Sequence, residues 1–172
     1  MYINPMKAIA EGWIKPHKDA PPIVVDVDDP NCQIQQNGID LRLAICHNIT
    51  HGGRIGLKEK APPMTYQEFD ENGMIALEGG KSYAFDTMEH VHLPDGVAAF
   101  IKQRSSLNRG GCTIQSGLWD TGFKGCIGGT FYPSVPIDLE IGVRVCQIVF
   151  VEAEAYRKYE GQYKDHELSE KK

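Results

Sequence analysis

Short apolar runs separated by turn signals make up most of the chain. Gly73 to Leu77, Ser82 to Met88, Gly96 to Lys102, Cys112 to Ile114, Cys126 to Tyr132 and Val143 to Val151 are each bounded by Gly, Pro, Asp or other polar residues. Such runs read as strands, because successive side chains of a strand reach opposite faces and the turn residues supply the angles that reverse the chain. The LPDG turn before Gly96 is one such signal, and the segment Asp120 to Gly125 is another. Upstream, Pro21 to Pro30 offers a brief IVVDV strand with an acidic turn, and Gln33 to Ile45 a turn followed by an alternating strand. The N-terminus differs: after a turn at Asn4 and Pro5, residues Met6 to Ile14 place Ile9, Trp13 and Ile14 on one side of a short helix. The pattern predicts an all-β fold, a meander or jelly roll with a short N-terminal helix.

Two regions fall outside that rhythm. Thr50 to Pro63 is rich in Gly and charge and predicts an exposed connection or hairpin, or an arm that reaches a neighbouring subunit. The terminal AEAYRKYEGQYKDHELSEKK is polar and poor in aliphatic side chains, so it has little to bury. The expected organisation is one β domain over residues 1–155 and a mobile tail over residues 156–172.

Composition narrows the functional classes. The 172 residues suit one domain, and 18 Gly with 10 Pro favour a sandwich or barrel over a helical bundle. A formal charge of −5 argues against a polynucleotide partner, whose binding rests on basic side chains neutralising phosphates. Local Arg and Lys clusters remain able to hold a small anion. The 5 cysteines (Cys32, Cys46, Cys112, Cys126, Cys146) are scattered, without a CxxC pair, and read as reduced thiols. Neither a secretion signal nor a membrane-length apolar run is evident, so the expected place is the cytoplasm, with no membrane partner.

Several side chains carry chemistry. Arg104, Ser105, Ser106 and Arg109 bring two guanidinium groups and two hydroxyls together after an apolar strand, which suits phosphate recognition; the alternative is a solvated loop with capping serines. Asp120 lies in SGLWDTGFKG, where glycines permit a tight hairpin that approaches a flat base. It is a candidate for orienting and deprotonating water, or an ordinary turn aspartate. Asp40, on a strand after a turn, suits a water-mediated contact to a triphosphate-bound Mg2+, or is a surface strand residue. Gln147 sits in the apolar run RVCQIVF and needs a partner, from ligand or backbone. The HxE and PCxxC pair of zinc deaminases, the GxxxxGK[ST] phosphate loop and HExxH are all missing from the sequence.

The order NGIDLRL, LPDGVAAFIKQRSSLNR, SGLWDTGFKG, GVRVCQIVF and KYEGQ resembles the trimeric dUTPase and dCTP deaminase family over roughly Gln36 to Gln162. The resemblance implies a distorted jelly-roll β-barrel assembled as a homotrimer, with active sites shared between neighbouring chains. It implies Arg104, Ser105 and Ser106 as phosphate ligands, with Arg104 also catalytic. Gln115, Ser116, Gly117 and Phe123 around the Asp120 hairpin fall at the pyrimidine and sugar site, Gln147 at a further nucleotide contact and Asp40 at the outer carboxylate for Mg2+. KYEGQ is similar to the deaminase branch, in which Lys158 and Gln162 would close over the triphosphate; the glycine-rich, phenylalanine-containing ending of the dUTPase branch is missing. Arg109 is assigned either to a phosphate or to the loop itself.

One departure decides between activities. In GCIGGTFY, Thr130 stands where deaminases of this family carry a glutamate, and a threonine hydroxyl cannot shuttle protons near neutral pH. The expected function is therefore a dUTP diphosphatase that releases dUMP and pyrophosphate. The alternatives are a dCTP deaminase with a carboxylate recruited from elsewhere, a diphosphatase for dCTP or a modified pyrimidine deoxynucleotide, and a noncatalytic nucleotide-binding regulator. Gly128 and Gly129 beside Thr130 predict either an enlarged base pocket or a β-bulge.

Overall fold

The computed structural model describes residues 1–49, 64–67, 69–157 and 159–161. In chain order the elements are α1 (Pro5–Ala10), β1 (Ile14–Pro16), β2 (Ile39–Ile49), β3 (Met64–Gln67), β4 (Met74–Leu77), β5 (Tyr83–His92), β6 (Val97–Gln103), α2 (Ser105–Arg109), β7 (Cys112–Gln115), β8 (Lys124–Pro133), β9 (Ile137–Glu140) and β10 (Arg144–Glu152). Antiparallel pairing orders the main sheet β6-β10-β2-β5-β8-β7, with β1 added to β5 and β3 to β2; β4 and β9 form a separate pair. The architecture is the expected all-β one, a nearly closed distorted jelly roll with two short helices. The segment 50–63 and the last residues, 162–172, lie outside the described residues, as does Lys158.

Local chemistry explains where the elements differ from the sequence reading. Asn4 caps α1 by accepting from the Met6 amide at 2.9 Å, and Pro5 at the first helical position needs no amide partner. The helix ends at Ala10, short of Ile14, because Gly12 turns the chain at φ 69° and Ile14 opens β1 against Val91. The IVVDV segment is no strand: Val24 exchanges its backbone bonds with the single residue Gln33, whose amide donates at 2.8 Å and whose Oε1 accepts at 3.1 Å. The strand expected within Gln33 to Ile45 begins at Ile39 and runs on to Ile49, and it is buried at most positions instead of alternating. RSSLNR is neither loop nor capped turn. Ser105 and Ser106 lie inside α2, Arg104 holds the cap position, and Leu107 is its buried anchor.

Between the sheet faces lies a core that includes Tyr83, Phe85, Phe131, Phe150, Leu41, Leu43 and Ile127. Phe85 and Phe131 stack with ring centroids 4.1 Å apart. All 5 cysteines are free and buried, and burial pushes the thiols of Cys46 and Cys112 up to about 12 and about 11. β5 alternates buried and half-buried positions, which carries Glu89 inward. There Arg42 Nε meets Glu89 Oε1 at 2.7 Å, the Arg42 amide donates to Oε2 at 2.9 Å, and Gln33 Nε2 donates to Oε1 at 2.9 Å. Arg42 Nη2 also donates to Pro21 O at 2.7 Å, so the buried pair tethers the irregular stretch before β2.

Candidate active site

Four adjacent strands place one row of side chains on a common face. His47 of β2 pairs with Ala84 of β5, Ala84 pairs with Thr130 of β8, and Thr130 pairs with Gln115 of β7. Side chains two residues apart along a strand share a face, so Asp86 and Gly128, themselves partners, join that row. This face floors a cavity of about 590 Å³, walled by Gln115, Ser116, Gly117, Trp119 and Phe123 and reached by Tyr159. Gln115, Ser116, Gly117 and Phe123 of the sequence reading are therefore brought together. A cavity of this volume with a mixed polar and aromatic lining is of the size that takes a small ligand.

The hairpin that carries Asp120 is anchored on both sides. Trp119 exchanges backbone hydrogen bonds of 2.9 Å with Ala99 of β6, and Thr121 Oγ1 donates to Pro94 O at 2.9 Å while accepting from the Gly96 amide at 3.1 Å. Gly122 takes φ 77° within the turn, closing it so that the Phe123 amide reaches Asp120 O at 3.0 Å. Asp120 itself is exposed, next to the cavity-lining Trp119. From the C-terminal segment, the Tyr159 amide donates to Thr121 O at 2.9 Å and its ring meets Phe123 edge-on at 5.6 Å. Tyr159 thus lies against the hairpin.

A second group forms around Asp40. Gln147 stands directly opposite Asp40 between β10 and β2, and its Nε2 donates to Asp40 Oδ1 at 3.4 Å. Arg104 Nε lies 3.1 Å from Asp40 Oδ2, and Arg144 Nη1 lies 3.6 Å from the same oxygen. No hydrogen-bond donor among the described residues is aligned on Oδ2, so these contacts are ion pairs. Burial raises the Asp40 pKa above 3.8, against the opposing pull of Arg104 and Arg144. Gly38 is required by close approach: a Cβ there would fall on Ile148 O and within 2.7 Å of Gln147 Cγ. Ser105, Ser106 and Arg109 are exposed along α2. None of Asp40, Arg104, Ser105, Ser106 or Gln147 lines the cavity, so within one chain the predicted phosphate residues and the predicted base residues stay apart.

Among the described residues no group of three or more His, Cys, Asp or Glu side chains forms a cation cage. A single carboxylate such as Asp40 could reach a cation through water, with the remaining ligands supplied from elsewhere. Among the same residues no helix is long and apolar enough to cross a membrane.

Gly128 and Gly129 beside Thr130 line the cavity at positions that leave no room for a side chain. A Cβ on Gly128 would lie 2.4 Å from both Asp86 Oδ1 and Phe85 O, and one on Gly129 would lie 2.6 Å from Gln115 O. Neither glycine has a positive φ; the register shift in this strand pair lies on β5, between Asp86 and His90. Gly128 is small because the Asp86 carboxylate crosses over it. Asp86, His47 and Arg144 escaped the sequence reading. Asp86 alternates with the buried Phe85 and Thr87, a sign that it faces away from the core, but nothing local indicates that the face is a cavity. Burial lowers the His47 pKa, with Asp86 pulling the other way, so the imidazole is held toward its neutral form.

Comparison with known proteins places this geometry. A family model described as dCTP deaminase-like matches residues 12–153. The chain is 31% identical over 155 residues to a probable deoxyuridine 5'-triphosphate nucleotidohydrolase of Methanosarcina mazei, covering 86% of this chain and 90% of that protein. It is 34% identical over 141 residues to a dUMP-forming dCTP deaminase of Persephonella marina, covering 76% and 77%. The crystal structure of 2'-deoxycytidine 5'-triphosphate deaminase from Agrobacterium tumefaciens superposes with a TM-score of 0.64 at 22% identity, over 87% of this chain and 46% of that one. Because the matching model runs from before β1 to the end of β10, taking in the cavity floor, the hairpin and the Asp40 group, the chain belongs to the dCTP deaminase-like family.

Proposed function

We propose that the chain is a Mg2+-dependent dUTP diphosphatase, which cleaves dUTP to dUMP and pyrophosphate. The observation that carries this reading is the placement of the SGLWDTGFKG hairpin, which walls the cavity with Trp119 and Phe123 while holding the Asp120 carboxylate exposed beside it. Five members of the same family that share 30–32% identity over 80% or more of this chain carry the name probable deoxyuridine 5'-triphosphate nucleotidohydrolase and add weight to it.

In this reading the base enters between Gln115, Gly117 and Phe123. Asp120 accepts a proton from a water that adds to the α-phosphorus, and positioning that water in line is its main contribution. Arg104, pre-oriented by Asp40, offers guanidinium donors to the triphosphate oxygens, with Ser105, Ser106, Lys158 and Gln162 completing the phosphate shell. Gln147 holds Asp40 at the edge of this group, and Arg109 contacts phosphate or braces α2. Bound Mg2+ would neutralise triphosphate charge and favour departure of pyrophosphate.

The separation of the Arg104 group from the cavity within one chain is accounted for by a homotrimer, in which α2 of one copy faces the cavity of another. The tail beyond Arg157 would then close over the completed site, as Tyr159 begins to do. A deoxynucleotide pool as substrate fits a cytoplasmic enzyme, without polynucleotide or membrane partners.

Incubation with Mg2+ and either dUTP or dCTP, following pyrophosphate and ammonia together, tests the reading. Pyrophosphate from dUTP is expected. Ammonia release as the sole reaction with dCTP, and no pyrophosphate from dUTP, would replace it with a deaminase that draws its carboxylate from somewhere other than residue 130.

A further inference from the structure

The cavity floor carries a carboxylate, Asp86, to which the proposed function gives no role. Asp86 faces Gly128 across β5 and β8, one strand step from the Ala84–Thr130 pair, and its Oδ1 occupies the space where any side chain at residue 128 would begin. Both Asp86 and Thr130 line the cavity. A carboxylate in this position is an acceptor only, and it meets a ring edge on different terms from a threonine hydroxyl, which donates as well as accepts.

We propose that Asp86 is a specificity-determining residue of this pocket, accepting a hydrogen bond from the exocyclic amine of a cytosine base, so that dCTP is cleaved to dCMP and pyrophosphate alongside dUTP. This rests on the diphosphatase reading and extends its substrate class to 4-amino pyrimidines. A cytosine edge presents an amine donor where uracil presents a carbonyl oxygen. An acceptor pairs with the first, as acidic side chains do when they accept from the cytosine amino group, and receives no hydrogen bond from the second, so Asp86 adds affinity for dCTP without supplying any for dUTP. His47 lies in the same row, where burial lowers its pKa while Asp86 pulls the other way. With a threonine at residue 130 the amine is read and kept. Water adds to the α-phosphorus with its proton passing to Asp120, the bond from that phosphorus to the bridging oxygen of pyrophosphate breaks, and the C4–N bond stays intact.

The test measures dissociation constants of the non-hydrolysable α,β-imido analogues of dCTP and dUTP, with Mg2+, for the full chain and for Asp86→Ala and Asp86→Asn. Asp86→Ala is expected to weaken the dCTP analogue relative to the dUTP analogue by about tenfold, and Asp86→Asn, which keeps an acceptor without charge, by less. Equal ratios in all three proteins, or no binding of the dCTP analogue to the unaltered chain, would overturn the inference. Hydrolysis of dCTP is followed in parallel: pyrophosphate without ammonia is expected, and ammonia that disappears in Asp86→Asn would make Asp86 a deaminating base instead of a reader. Absence of pyrophosphate from dUTP would refute the diphosphatase reading by itself, leaving the binding ratio to decide the role of Asp86.

Discussion

Arg104 and Asp40 form an ion pair of 3.1 Å between the guanidinium Nε and a carboxylate that is 2% exposed. The pair ties the residue at the head of α2 to the floor of β2, and Arg144 approaches the same oxygen at 3.6 Å. An arginine held by its Nε from behind keeps its terminal nitrogens for other acceptors, and Arg104 spends one of them only on a long 3.4 Å contact to Arg144 O.

Burial raises the Asp40 pKa above 3.8 despite both cations. A carboxyl whose folded pKa is raised contributes stability that is fully present below its unfolded value and is lost as pH rises through the folded value. Asp40→Asn removes that titration, leaving a constant offset from the two arginines it no longer neutralises. The stability difference, wild type minus variant, should therefore decrease from pH 4 toward pH 7, read from urea unfolding midpoints at about one-unit steps. A difference that grows with pH would contradict this environment for Asp40.

The Arg42–Glu89 pair is buried, with Glu89 at 0% exposure and bonded by Arg42 and Gln33. Removing one member leaves an uncompensated charge, so Glu89→Ala should cost about 3–5 kcal/mol in chemical unfolding. Glu89→Gln, which keeps hydrogen bonds at lower charge, should cost less. A loss below about 1 kcal/mol for Glu89→Ala would place the pair in water.

His47 gives the opposite pH sign. Its folded pKa lies below the ordinary 6.5, so its contribution is present above 6.5 and is lost as pH falls through the folded value. His47→Gln should flatten the decline in thermal midpoint on acidification below 6.5. Equal declines in both proteins would show that the imidazole protonates freely in the fold.

A double-mutant cycle examines the crossing of Asp86 over Gly128. Gly128→Ala forces the Asp86 carboxylate or the β5 backbone aside and should cost about 1–3 kcal/mol. Adding Asp86→Ala should return part of that loss, a coupling of about 0.5 kcal/mol or more. Strict additivity would mean that the two residues do not meet.

The sequence was legible where local chemistry decides structure. Apolar runs bounded by Gly, Pro and Asp located β4, β6, β7, β8 and β10 to within a residue or two, and the Asn4-Pro5 turn located the start of α1 to within one residue. IVVDV misled because its strand-like composition is overridden by Gln33, whose amide and side chain take up the backbone of Val24. β9 escaped notice because Ile137–Glu140 is a short edge strand whose pairing with β4 is long-range. For the site, the resemblance put Gln115, Ser116, Gly117 and Phe123 at one base site, and they line one cavity, whereas the meeting of Asp40, Arg104 and Gln147 was not read. Asp86, His47 and Arg144 were not, since each acts through a neighbour brought close only by sheet register.

The most direct measurement is the rate of pyrophosphate release from dUTP, with Mg2+ at neutral pH, by the unaltered chain and by Asp120→Asn. A positioned general base contributes about 10²- to 10⁴-fold, so kcat should fall by at least about 100-fold in the variant while KM changes little. Unchanged kcat in Asp120→Asn, or no pyrophosphate from dUTP with either protein, would contradict the account.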